Sequence, residues 1–208
     1  MRGIFRFSVG VLLPAALLAQ TPALRKGVSV RMAATTNALA VPDADLAESL
    51  VVTVTYDGRA FLNVSQETPA QLAESVKTGL AEQPGKRVYF KADARTFYSN
   101  VVNVLDALQS AGVEAPILLT SQPDSGGASY RLPSGLEVLL RPAPDTARVV
   151  TLGAGGRQAS DAELRQQAQQ ETPIVLQADD MTPFGDLVHA VDVLRGEGAS
   201  VFLAMQTK

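Results

Sequence analysis

The sequence predicts an α/β protein of the α+β two-layer-sandwich type: two tandem copies of a small sheet, each covered on one face by two helices. Three observations lead there. The strand-like run Val88-Tyr89-Phe90-Lys91-Ala92-Asp93 returns 86 positions later as Ile174-Val175-Leu176-Gln177-Ala178-Asp179. Each run is followed by an apolar stripe at helical spacing, Val101, Val104, Leu105 and Leu108 in one case, Leu187, Ala190, Val191 and Leu194 in the other. Each stripe stops at a glycine, Gly112 or Gly198, and a second short apolar strand follows, Ile117-Leu118-Leu119 or Val201-Phe202-Leu203. Self-similarity of this order and spacing is the mark of a repeated unit.

The earlier elements of each unit also correspond, at a different offset. Val51-Val52-Thr53-Val54 runs into Asp57-Gly58-Arg59, and Val149-Val150-Thr151-Leu152 runs into Gly155-Gly156-Arg157. Both read as a strand entering a glycine turn. Upstream of each lies an alternating stretch, Gly27-Val28-Ser29-Val30 and Gly135-Leu136-Glu137-Val138, expected to add a strand to its own copy. A capping signal then opens a helix in each copy. Thr68-Pro69-Ala70-Gln71 leads into Leu72, Val76 and Leu80, and Ser160-Asp161-Ala162-Glu163 leads into Leu164 and Ala168. The second copy lacks a counterpart to the strand Phe61 to Val64 and part of this helix, which makes it the degenerate one. Two stripes per copy cannot be buried alone and are expected to cover one sheet face. The expected division is a targeting segment over 1–26, copy one over 27–120, a Pro/Gly-rich linker over 121–134, and copy two over 135–208.

Composition narrows the function classes. The 208 residues are 46% hydrophobic and carry 18 basic against 21 acidic side chains, too weakly acidic a balance to point to nucleic acid or a polybasic membrane patch. There is no cysteine, which removes disulfides, thiolate chemistry and Cys-based zinc sites, and His189 is the sole histidine. At the N-terminus a short basic start is followed by the apolar run Phe7 to Ala19, interrupted by Pro14. That length suits a signal-peptide core, whereas a membrane span needs about twenty residues. Cleavage after Ala19 or Ala23 is one expectation. An uncleaved short anchor is the other, because the uncharged stretch runs on to Leu24 before Arg25-Lys26.

At this point the residues carry a resemblance. Arg25-Lys26-Gly27-Val28-Ser29-Val30 is followed by Leu50 to Val54 with Asp57-Gly58-Arg59 and Leu62-Asn63. Then come the Lys91-Ala92-Asp93 strand end and Val101-Val102-Asn103-Val104-Leu105-Asp106-Ala107-Leu108, ending at Ala111-Gly112. This order is similar to the periplasmic domain of the ExbD/TolR biopolymer-transport family, over nearly all of 27–120 and more loosely over 135–208. The resemblance implies a non-enzymatic, exported envelope protein, periplasmic, with a tether to the inner membrane through the N-terminal segment if that segment is not cleaved. Its implied partner is of ExbB/TolQ or TonB/TolA type, or a second copy of itself, and no cofactor is called for. Engagement of peptidoglycan, as some TolR-like domains show, is the alternative. The family's proton path uses an aspartate in its single anchor helix. No Asp or Glu lies between Arg6 and Arg25 here, so a partner-binding role without proton conduction is expected.

The positions matching the family pattern are Gly58, Asp93, Tyr98, Asp106 and Gly112, with Gly156, Asp179, Phe184, Asp192 and Gly198 in the second copy. All are read as structural. An Asp at a strand end more often accepts from nearby backbone N–H groups than acts in catalysis, and no second acid, base or nucleophile recurs beside these. Leu152-Gly153-Ala154-Gly155-Gly156 lacks the spacing of a phosphate loop and reads as a turn. Asp179-Asp180 with His189 could suggest a metal, but Asn103 stands at the matching place in copy one, so His189 is expected on a solvated helix face. No catalytic, cofactor or metal residues are therefore assigned.

Overall fold

The computed structural model describes residues 26–122, 133–153, 159–168 and 173–204. Their first sheet is built on β2 (Leu50–Val54), which pairs in parallel with β5 (Val88–Ala92). β5 pairs in parallel with β6 (Ile117–Thr120). On the other side of β2 lies a hairpin of β3 (Ala60–Leu62) and β4 (Ser65–Glu67). β3 is shorter than the expected strand because Asn63 takes a left-handed φ of 55° and turns the chain back at Val64. Two further strands, β7 (Ser134–Glu137) and β1 (Leu39–Ala40), complete the order β1-β7-β6-β5-β2-β3-β4. A second sheet holds β8 (Arg148–Leu152), β9 (Ile174–Ala178) and β10 (Val201–Leu203), all parallel. This is a mixed α/β fold of the predicted sandwich class.

The helices lie where the apolar stripes place them. α1 (Pro69–Glu82) starts on a complete capping box between Thr68 and Gln71 and buries Leu72 and Val76. α2 (Tyr98–Ser110) buries Val101, Val104, Leu105 and Leu108. α3 (Asp161–Ala168) opens with Ser160 and Glu163 in the same reciprocal arrangement. α4 (Phe184–Gly196) buries Leu187, Ala190, Val191 and Leu194. One continuous apolar core runs through both sheets, with the Phe90 and Phe184 rings meeting edge to face at 5.8 Å.

Two segments differ from their expected places. Gly135 to Val138, expected to open the second copy, lies in the first sheet, where Gly135 faces Leu119 of β6 and Leu39 of β1. The same strand runs on past β6, and Leu139 exchanges two hydrogen bonds with Val201 and Leu203 of β10 (3.0 and 2.9 Å). One stretch of chain thus joins the two sheets. Gly27 to Val30 joins no strand; its ends are held by side chains and by the Ala94 N–H, which donates to the Arg31 carbonyl (2.8 Å). The Lys91 ammonium donates to the Lys26 carbonyl (2.8 Å), and Asp93 accepts from the Arg31 N–H (3.2 Å). Beyond it, Ala34 bridges Ser121, which sits at the start of the expected linker. Most of that linker lies outside the described residues, as does Gly156.

The N-terminal segment also gives the first sheet a second buried face. Met32, Val41 and Ala44 pack over Val51, Tyr89, Ile117 and Leu119, on the side away from the main core. Every residue of β2, β5 and β6 is consequently buried, as parallel strands covered on both faces require.

Candidate functional site

Neither α2 nor α4 has a side chain able to cap it, since Phe97 and Pro183 occupy the N-cap positions. A helix must still satisfy its first N–H groups. Each helix does so on the other's entry turn. Tyr98 donates to the Thr182 carbonyl (2.9 Å) and Phe184 to the Thr96 carbonyl (2.8 Å); Ser99 donates to Asp180 (3.1 Å) and Gly185 to Ala94 (2.8 Å). In each pair the donors are 86 residues apart, and so are the acceptors, so the exchange is reciprocal. Gly185 permits the close approach: a Cβ there would stand 3.0 Å from the Ala94 oxygen.

The carboxylates just before these turns share a sequence context and differ in environment. Asp93 is 3% exposed. Its Oδ1 accepts from Arg95 Nε (2.8 Å) and the Arg95 N–H (3.1 Å), and its Oδ2 from Arg95 Nη2 (2.9 Å) and the Arg31 N–H. The Arg95 side chain, against the cost of burial, holds the Asp93 carboxyl down at about 2. A group so committed fastens the N-terminal segment and has no free oxygen for proton transfer. Asp179 is exposed, and Met181, 65% exposed, stands where the first half has Arg95. Arg95 also lies 5.0 Å over the exposed Tyr56 ring.

The remaining expected positions are scattered through the scaffold. Asp192 is buried on α4 and accepts from the N–H groups of Thr36 (2.9 Å) and Asn37 (2.8 Å) and from the Thr36 hydroxyl (3.1 Å). Asp106, its match on α2, is half-buried. Tyr98 is buried, donates its hydroxyl to the Ala204 carbonyl (2.7 Å), and is pushed by burial up to about 12. Phe184 fills the core against Phe90. Gly58, Gly112 and Gly198 take φ of 81°, 87° and 82° at the turns where sequence placed them. The structure therefore brings Asp93 and Asp192 into one task, holding the N-terminal segment, and leaves Asp179 outside it.

His189 is exposed on α4, and its Nε2 lies 2.7 Å from Asp161 Oδ1 at the start of α3. The hydrogen bond from His189 lowers the Asp161 pKa. Sequence reasoning singled out the histidine and missed its partner, which sits in a capping motif read only for its helical role. Among the described residues no group of three or more His, Cys, Asp and Glu could hold a metal.

A family profile described as biopolymer transport protein ExbD/TolR matches residues 11–122, just over half the chain. The chain belongs to the ExbD/TolR family. No curated protein matches it. Membership makes the chain a component of a biopolymer transport system, in a family that is membrane-associated, works with envelope partner proteins and is in general not enzymatic. Among the described residues no helix is long and apolar enough to cross a membrane. The ExbD/TolR match ends at Gln122, before β7 and the second sheet.

Proposed function

We propose that this chain is a non-enzymatic periplasmic adaptor of a proton-motive-force-linked, TonB/Tol-type transport system, exported through its N-terminal segment. Its two halves are copies of one ExbD/TolR-like domain facing each other across a pseudo-two-fold axis at the Phe97–Pro183 bridge. The matching positions named above serve this scaffold and do no chemistry. No titratable side chain lies between Phe7 and Leu24, so any proton-linked work uses a carboxylate of another subunit.

The observation that carries the adaptor reading is an open edge. In the first half the outer edge of β2 is covered by the β3–β4 hairpin. In the second half β8 is the last strand among the described residues, with Val149 62% exposed. An uncovered parallel edge with an apolar residue on it is a template for a strand from a partner of ExbB/TolQ or TonB/TolA type.

The test places a photo-activatable residue at position 149, in cells whose own ExbD is deleted. Irradiation is expected to give an adduct with an envelope transport protein, absent when the probe is at buried Val52, while proton-gradient-dependent uptake is not restored. Restored uptake, or adducts with cytoplasmic proteins alone, would overturn the reading.

A further inference from the structure

The first half shows how a strand edge of this kind is completed. Val51 and Thr53 turn their backbone groups away from β5, and the β3–β4 hairpin meets them. The Asn63 N–H donates to the Val51 carbonyl (2.7 Å), the Val51 N–H to Asn63 Oδ1 (3.2 Å), and the Thr55 N–H to the Arg59 carbonyl (3.0 Å). β3 runs antiparallel to β2, with Ala60 opposite Val54, Phe61 opposite Thr53 and Leu62 opposite Val52. Ala60 is buried in the main core and Leu62 packs against it, whereas Phe61 points to the other side of the sheet.

β8 has the same alternation with no strand beside it. The Arg148 N–H donates to the Pro173 carbonyl (2.9 Å) and the Leu152 carbonyl accepts from the Asp179 N–H (3.1 Å). Arg148, Val150 and Leu152 therefore direct their backbone groups to β9, and those of Val149 and Thr151 face the open edge. Side-chain burial is incomplete at the same place. Val52 is fully buried beside Leu62, whereas Val150 is only partly buried. At the end of the strand Leu152, Leu164 and Ala190 line a hollow of about 40 Å³, room for a small side chain and not for a large one. The connection is also shorter. Ser160 opens α3 eight residues after Leu152, whereas Thr68 opens α1 fourteen residues after Val54, a length that holds the β3–β4 hairpin.

We propose, resting on the reading of β8 as a docking edge, that this edge takes an extended segment of another protein in one direction and one register. The segment runs antiparallel to β8. A small residue (glycine, alanine or serine) stands opposite Leu152 and fills the hollow. The next residue exchanges both backbone hydrogen bonds with Thr151 and points away from the helices, where its size is free. The third, leucine or another aliphatic, stands opposite Val150 and closes the core there. Backbone hydrogen bonds supply affinity, and the order small, any, aliphatic supplies selection. A second copy of this chain does not fit through its own β8. Two β8 edges in antiparallel register put Arg148, Val150 or Leu152 opposite Leu152, and none of these is small.

The test uses the full chain and two capped hexapeptides, one copying residues 58–63 and one with its alanine and phenylalanine exchanged. Amide NMR is expected to show saturable shifts at Val149 to Leu152 with the first. The second should bind about tenfold more weakly, because its large side chain meets the hollow. A nitroxide on the N-terminus of the first peptide should broaden Gly153 more than Arg148. Thr151→Pro removes an N–H that β9 does not use, at a place where an edge strand tolerates proline, and should abolish binding. The spectrum away from β8 reports whether that variant is folded. Equal binding of the two peptides, stronger broadening at Arg148, no binding of either, or undiminished binding by folded Thr151→Pro would overturn the proposal. So would a concentration-dependent dimer in sedimentation that Thr151→Pro breaks, since it gives the edge to a second copy. The photo-adduct at position 149 is a separate result. An adduct without peptide binding overturns the register rule and keeps the adaptor role, and peptide binding without an adduct does the opposite.

Discussion

β2 and β8 carry almost the same residues, Val51-Val52-Thr53 and Val149-Val150-Thr151, and meet different surroundings. Val51 is fully buried between the first sheet and the N-terminal segment, whereas Val149 is 62% exposed. Val52 lies in the main core, and Val150 is a partly buried residue packed against it. Both strands turn one face to the helices. Among the described residues only β2 also has a segment across its other face and a hairpin along its outer edge. A strand's own residues fix which side chains share a face; what covers that face is decided by chain far away in sequence.

Paired substitutions at matching positions turn this contrast into numbers. The largest effect is expected from Val51→Ala, which removes two methyl groups from a site that cannot refill: a loss of about 2 kcal/mol, against about 0.5 kcal/mol or less for Val149→Ala. Urea unfolding of the two variants checks it, and equal losses would mean that Val149 is covered in solution.

The strand-end carboxylates come next. Asp93→Ala should cost on the order of 2 kcal/mol, and Asp179→Ala about 0.5 kcal/mol or less. The Asp93 carboxyl is held below its ordinary value in the folded state. Its stabilisation is therefore complete above about pH 4 and lost as pH falls through about 2. Unfolding followed across that window should show a steeper decline for the unmodified chain and for Asp179→Ala than for Asp93→Ala. Parallel curves would remove Asp93 from the explanation.

The smallest contrast between the halves belongs to the helix starts. Thr68→Ala and Ser160→Ala should each cost about 1 kcal/mol, since both boxes are formed. A much larger loss for Ser160→Ala, measured by the same denaturation, would show that the eight-residue α3 depends on its cap more than on Leu164 and Ala168.

The parts legible in the sequence are those set by local rules. The stripes placed α2 and α4, Thr68 and Ser160 marked the starts of α1 and α3, and runs of Val, Ile and Leu marked β2, β5, β6, β8, β9 and β10. Long-range pairing was not legible. Alternation identified Gly135 to Val138 as strand-like but could not say that its neighbour would be β6. Gly27 to Val30 alternates equally well and joins no ladder; its neighbours Lys26 and Arg31 are bonded to Lys91 of β5 and to Asp93 just after it. The reciprocal capping of α2 and α4 had a faint signal: two helices with clear stripes and no capping residue need donors satisfied from elsewhere. The hollow beside Leu152 had none, since it forms only when α3 and α4 meet β8.

The stretch from Lys26 to Asn37 has a consequence for the order of assembly. Its contacts reach Asp93, Ser121 and Asp192, the last across 156 positions of chain. Closing so long a loop is slow and gains nothing until both ends are present. The contacts of Thr36 and Asn37 therefore wait for α4, the last helix among the described residues, and until they form the cover over Val51, Tyr89, Ile117 and Leu119 is held only by its bonds to Asp93 and Ser121. A chain made N-terminus first passes through that state every time it folds, so slowing the arrival of α4 leaves the cover of an apolar sheet face less firmly held against other chains and proteases.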